Sequence, residues 1–225
     1  MSVTLQDVLA LVGRLDDTPG VDAPRERFRR FLALRVTDAA GLRALLGQCQ
    51  DGLGDQLDRA RRDLIAKLGE FLGFEVRHGA YGAGCEAPSG AQWRSRRRAR
   101  ILLDIRSEHA VTADVTALSQ QLAALAATAP AESGERCVGL CVLTPYYPSR
   151  RQLEAAIAAR ASQDIRAVTL DALLWLAEMV SGGSLTHDEA LRVLTASPDA
   201  SFIIEDRKST RLNSSHVSES RMPSS

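Results

Sequence analysis

The chain lacks most of the features that announce a chemistry. No apolar run approaches the roughly 20 residues that a bilayer-spanning helix needs. The N-terminus, MSVTLQDVLALVG, has neither a basic start nor a cleavage signature, so a cytoplasmic protein without membrane partners is expected. The four cysteines (Cys49, Cys85, Cys137, Cys141) contain no CxxC pair. Zinc-type ligand clusters are therefore missing, and Cys137 and Cys141, in or beside an apolar run, read as reduced core residues. A GxSxG elbow, a Walker loop and a dinucleotide fingerprint are all absent. Gly79–Gly84 reads GAYGAG, but it follows a strand pattern and opens no helix, which argues against a phosphate cradle. Aromatic residues make up only 4% of the 225, and the formal net charge is +0. That balance gives no support to strong non-specific DNA binding. What remains is the composition of an ordinary globular chain, long enough for one full core and an accessory layer.

The last stretch, Asp206–Ser225, is poor in apolar residues and rich in Ser, Arg and Asn. Its first part, DRKSTRLNSSH, resembles one translated frame of a common sequencing-adapter oligonucleotide. The expectation is that residues 206–225 are a non-native tail and that the natural sequence breaks off near Glu205. A disordered polar tail is the plainer reading. Without this segment the acids slightly outnumber the cations.

Apolar spacing predicts helices over Thr4–Leu15, Pro24–Arg35, Asp38–Gln48 and Gln56–Leu72. In the second, Phe28, Phe31, Leu32 and Leu34 are expected inward and its five arginines outward. Residues 1–55 thus form an N-terminal helical extension. Gly73 ends the fourth helix by the left-handed route. Short strands are expected at Phe74–His78 and Gln92–Ser95. The run Ile101–Ser107, ILLDIRS, suits a buried central strand, because polarity enters only at its end. Helices over Val115–Ala127, Arg150–Ala161, Leu170–Val180 and Thr186–Thr195 alternate with strands at Cys137–Leu143 and Ile165–Thr169. This order describes an α/β domain over residues 56–197, with a mixed sheet flanked by helices. Its first three strands should pair antiparallel, and the later ones should be reached by crossovers.

Several phrases in this order resemble a known group. They are Gly69–Val76 (GEFLGFEV), Gly79-Ala80-Tyr81, Gly90–Trp93 (GAQW), Leu103–Arg106 (LDIR), Gly139–Val142 (GLCV) and Ile165–Glu178. Together, over about Arg25–Leu194, they resemble small bacterial proteins of the restriction-endonuclease-like, or PD-(D/E)xK, nuclease superfamily. The resemblance implies a restriction-endonuclease-like fold. It also implies a centre in which carboxylates converge on Mg²⁺, which polarises a phosphodiester and acidifies the attacking water.

Carried over by position, Glu70 on the last turn of the long helix matches a helix acid of the superfamily, and Asp104 matches its (D/E). Arg106 stands where a lysine is expected, and Ser89 where an acid is expected. Arg106 keeps the charge, but a guanidinium does not deprotonate. It can still fork onto a phosphate. Glu86, in the preceding Gly-rich loop, is the acid nearest to Ser89 in sequence. If active, the chain would hold Mg²⁺ on Glu70, Asp104 and Glu86, with Arg106 as electrostatic stabiliser. If degenerate, it would serve as a nucleic-acid-binding or interaction module, or as a structural subunit. Arg94, Arg96, Arg97, Arg98 and Arg100, five guanidinium groups in seven residues beside that centre, are the candidate phosphate contacts. DNA, a partner protein and a second copy are the candidate partners. Against this stands the reading in which Asp104 and Arg106 only pair with each other. Likewise the arginine run can be a solvated hairpin tip, and His78 and His109 are expected at the surface. Trp93 and Trp175 read as core residues and His187 as helix-start context.

Overall fold

The computed structural model describes residues 4–49, 54–82, 90–96, 99–106, 114–128, 135–145, 147–159, 164–196, 200 and 204. Four helices come first: α1 (Leu5–Val12), α2 (Pro24–Arg35), α3 (Ala39–Gln48) and α4 (Asp55–Phe71). Three strands follow, β1 (Glu75–Arg77), β2 (Gln92–Ser95) and β3 (Ala99–Arg106). The chain then alternates through α5 (Thr116–Ala127), β4 (Arg136–Leu143), α6 (Arg150–Ala158), β5 (Ile165–Thr169), α7 (Leu170–Ser181) and α8 (His187–Ala196).

Local chemistry explains the helix starts. Thr4 and Asp7 form a capping box on α1, Asp38 accepts from the Gly41 amide on α3, and Thr169 accepts from the Ala172 amide on α7. Thr186 and Glu189 cap α8 reciprocally. Gly73, with φ +87°, turns the chain from α4 into β1, a conformation that side chains with a Cβ rarely adopt.

The sheet is mixed and runs β1-β2-β3-β4-β5. The pairs β1–β2 and β2–β3 are antiparallel, and β3–β4 and β4–β5 are parallel through helical crossovers. The two faces of the sheet bury different helices. Ile101, Leu103, Val138, Leu140, Val142 and Val168 pack with α1–α4, α7 and α8 in one large cluster. Leu102, Cys141, Leu143, Ile165 and Ala167 pack with Leu118 and Leu122 of α5 and Leu153 and Ile157 of α6. The period-2 alternation of β3 is thus read out directly, and it puts Asp104 and Arg106 on the α5 face. Trp93, fully buried, lies against Gly69 of α4 and donates from Nε1 to the Ala66 carbonyl at 2.8 Å. A Cβ on Gly69 would meet that ring at 2.4 Å, so the α4–β2 contact requires glycine there.

Helix α2 departs from expectation in two places. Leu34 is 70% exposed, while Arg29 turns inward to an acid on α4. A buried carboxylate attracts a guanidinium more strongly than one leucine gains by burial, and Phe28 and Leu32 already fill the core face. Helices α1–α3 share the large cluster with α4, α7 and α8. Among the described residues, no helix is long and apolar enough to cross a membrane.

Candidate functional site

Strands β1 and β3 run in the same direction, and α4 runs opposite to the β1 strand that follows it. The carboxyl ends of β1 and β3 therefore meet the middle of α4 rather than its end. At that meeting point lies a cleft of about 270 Å³. Helix α4 contributes Arg62 and Asp63. The segment after β1 contributes Gly79, Ala80 and Tyr81. Gly90 and Ala91 precede β2, Leu103–Arg106 end β3, and Ala117, Leu118 and Gln121 come from α5. Gly90 is held there by close approach, because a Cβ would sit 2.3 Å from the Leu103 carbonyl oxygen. The neighbouring Ala91 carbonyl accepts from the Leu103 amide at 2.8 Å.

Among the described residues, two carboxylates line the cleft, and both are engaged by cations of the same chain. Arg106 donates from Nε to Asp104 Oδ2 at 2.8 Å, and one of its terminal nitrogens contacts the same oxygen and donates to the Asp114 carbonyl. Burial disfavours the Arg106 charge, but Asp104 more than compensates and raises its pKa. Cys141, opposite Asp104 in the parallel register, has its Sγ 4.0 Å from Oδ2. Burial first, then Asp104, pushes that thiol up, so it stays protonated as a weak donor.

Asp63 is more fully saturated. It accepts from Arg29 Nε at 3.0 Å and from an Arg29 terminal nitrogen at 3.2 Å. His78 Nδ1 lies at 3.2 Å and the Tyr81 hydroxyl at 2.5 Å. Burial alone would raise the Asp63 carboxyl, but the hydrogen bond and charge of His78, with those of Arg29, hold it below the usual carboxylate range. The same environment pushes the Tyr81 phenol up, by burial and then by Asp63. Tyr81 is thus a neutral donor. Two guanidinium groups, Arg29 and Arg59, lie 5.6 and 5.9 Å from its ring centroid.

Of the site residues expected from sequence, the structure brings Asp104 and Arg106 into the cleft. Glu70 lies outside its lining. It sits two turns beyond Asp63 on α4, about 10 Å along the axis, and pairs with Lys67 at 2.6 Å. Glu86, Ser89, Arg97, Arg98 and His109 lie outside the described residues.

The arginine run is at the other end of β3. Arg100 precedes Asp104 by four residues, about 13 Å of strand. Arg94 and Arg100, cross-strand partners, both bind the Glu135 carboxylate, at 3.3 and 2.7 Å. Burial would raise Glu135, but Arg100 and Arg94 hold it low. Arg96 is exposed at the hairpin turn.

His78, expected at the surface, is half-buried because Asp63 attracts it. His187 does more than open a helix. Its Nδ1 donates to the Leu72 carbonyl at 2.7 Å, its Nε2 is 2.7 Å from Ser95 Oγ, and its edge meets Phe74.

Sequence reasoning missed Asp63 and Arg29. The usable signal was an acid two turns before Glu70 and next to the fully apolar Leu64-Ile65, a position that burial alone would not tolerate without a partner.

A Mg²⁺ centre of the kind the resemblance implies needs two or more carboxylates with oxygens to spare. Asp63 spends its oxygens on four protein donors, and Asp104 shares one of its oxygens with a guanidinium. Among the described residues no three His, Cys, Asp or Glu side chains cluster closely enough to hold a metal. The described donor set does not fit such an ion. The chain matches no family model, no curated protein and no solved structure.

Proposed function

We propose that this chain is a restriction-endonuclease-like protein whose nuclease centre has degenerated and which acts as a non-cleaving binding module. The order helix, three antiparallel strands, crossover helix and parallel strand, from α4 to β4, supports the fold assignment. So does the placement of the Gly90–Trp93 and Leu103–Arg106 phrases side by side at one cleft. The observation that carries the functional reading is the Asp104–Arg106 pair. A fixed guanidinium sits on the carboxylate that would have to bind the metal, and no lysine replaces it. Arg62 and Arg106 give the cleft cations suited to a phosphate or carboxylate ligand. Nucleic acid is the first candidate partner. A protein partner is the second reading, and it is favoured by the Glu135 clamp, which engages Arg94 and Arg100 within the chain and offsets one of their two charges.

The test is incubation with supercoiled plasmid and with single-stranded DNA, in Mg²⁺ or Mn²⁺, beside Asp104→Ala and a Ser89→Asp/Arg106→Lys double variant. No cutting by the parent is expected, with cutting restored in the double variant. Metal-dependent cutting by the parent that Asp104→Ala abolishes would make this an active enzyme and overturn the proposal. Binding to fluorescent DNA across a salt series separates the two partner readings, because phosphate contacts weaken steeply with salt.

A further inference from the structure

The segment that walls the cleft after β1 is held from two sides by acids that lie outside it. The Tyr81 amide donates to both Asp17 carboxylate oxygens at 3.0 Å, and the Gly82 amide donates to Asp17 Oδ2 at 2.8 Å. Asp17 belongs to the connection between α1 and α2, and Arg25 of α2 pairs with it at 3.1 Å. On the other side the Tyr81 hydroxyl and His78 hold Asp63. Arg29 of α2 ties the two sides together, because it binds Asp63 through two nitrogens and also donates to the Gly79 carbonyl at 2.9 Å. Arg62 adds a bond to the Tyr81 carbonyl at 3.1 Å. These four residues carry no ladder pairing of their own, since β1 ends at Arg77. Their position is set by side chains from α4 and from the N-terminal helices.

We infer that Gly79–Gly82 is a gate to the cleft, latched by the N-terminal helical extension through Asp17 and Arg29. In this arrangement residues 1–55 have a task beyond packing. The latched gate keeps buried Ala80 and Tyr81 in the wall of the cleft that Asp104 and Arg106 also line. Released, it removes one wall of the cleft and frees the Arg62 guanidinium from the Tyr81 carbonyl. Each latch contact is charge-assisted, so loss of one should change local opening without unfolding the sheet. The inference rests on reading the cleft as the ligand site, but its test needs no ligand and so fails or succeeds independently of that reading.

The measurement is amide hydrogen exchange on the full chain, resolved at Tyr81 and Gly82, with the β3 amide of Leu103 as reference. Asp17→Ala removes the direct acceptor and calibrates exchange when the Asp17 side of the latch is lost. Arg29→Met and Tyr81→Phe touch neither amide. The gate predicts that both speed exchange at Tyr81 and Gly82 by about tenfold or more beyond any change at Leu103, whose own protection corrects for the global loss caused by leaving Asp63 without Arg29. Should Arg29→Met prevent folding, Tyr81→Phe, which removes a single hydroxyl, carries the same comparison. Unchanged protection at Tyr81 and Gly82 in the folded variants would overturn the gate. Exchange at these amides rising only in step with Leu103 would overturn it equally, because the contacts would then be part of the global fold.

Discussion

The two ends of β3 meet the same problem, acids among arginines, and resolve it differently. At the hairpin end, Glu135, with 4% of its side chain exposed, is shared by two arginines, Arg94 at 48% and Arg100 at 19%. At the cleft end, Asp63 has 4% of its side chain exposed and is surrounded by Arg29, His78 and Tyr81, drawn from α2, the end of β1 and the segment beyond it. At the hairpin the half-exposed Arg94 leg is screened by water and contributes little, and the shorter Arg100 leg carries the pair. A buried carboxylate fixes every donor around it, because leaving any charge there unpaired is costly. Both acids are covered, but Glu135 holds two arginines of a single hairpin, whereas Asp63 gathers donors from separate parts of the chain.

Breaking the cleft end should cost most. Asp63→Asn removes the buried counter-charge of the Arg29 guanidinium, leaving it only the half-exposed Glu26 at 3.4 Å, and should lower stability by about 3 kcal/mol, read from the urea midpoint. A loss below 1 kcal/mol would mean that solvent reaches Arg29 and that the contrast is false. Gly90→Ala forces a Cβ against the Leu103 carbonyl and should cost about 2 kcal/mol, again by urea titration. A neutral result would show that β2 can shift freely beside Asp104.

Acid should isolate the Asp63 contribution by slope. The folded-state pKa of Asp63 is lowered, so its contribution is complete above the unfolded-state value and is lost as the pH falls through the folded one. Stability measured from pH 6 downward should fall more steeply in the parent than in Asp63→Asn, by at most about 1.4 kcal/mol per pH unit for one proton. Parallel curves would remove Asp63 from the explanation. Smallest of all, Glu135→Gln should cost about 1 kcal/mol or less. A larger loss on thermal melting would raise the hairpin end to equal rank.

The elements were legible because periodicity and turn residues agreed. The run ILLDIRS gave both the central strand and the face shared by Asp104 and Arg106, since alternation in a strand depends on spacing alone. Helix α4 was legible as an amphipathic stripe, but which of its acids meets the cleft was not. That choice depends on where the β1 and β3 ends cross the helix, a distance set by β1 folding back along α4. Arg29 was hidden for a similar reason. Five arginines on α2 look alike in sequence, and only the buried partner 34 residues later distinguishes one of them. The alternative in which Asp104 and Arg106 pair with each other is the contact observed.

The pairing of α4 with α7 has a consequence for how the protein is made. Every described residue that lines the cleft has been synthesised by Gln121, yet α4, which carries Arg62 and Asp63, buries its apolar face in the cluster that α7 and α8 complete. About 60 residues separate Gln121 from the end of α7, which is roughly 3–12 s of translation at ordinary rates. During that interval the nascent chain holds every cleft residue but not the cover that fixes α4. The cleft is therefore a late product of biosynthesis, assembled from early residues.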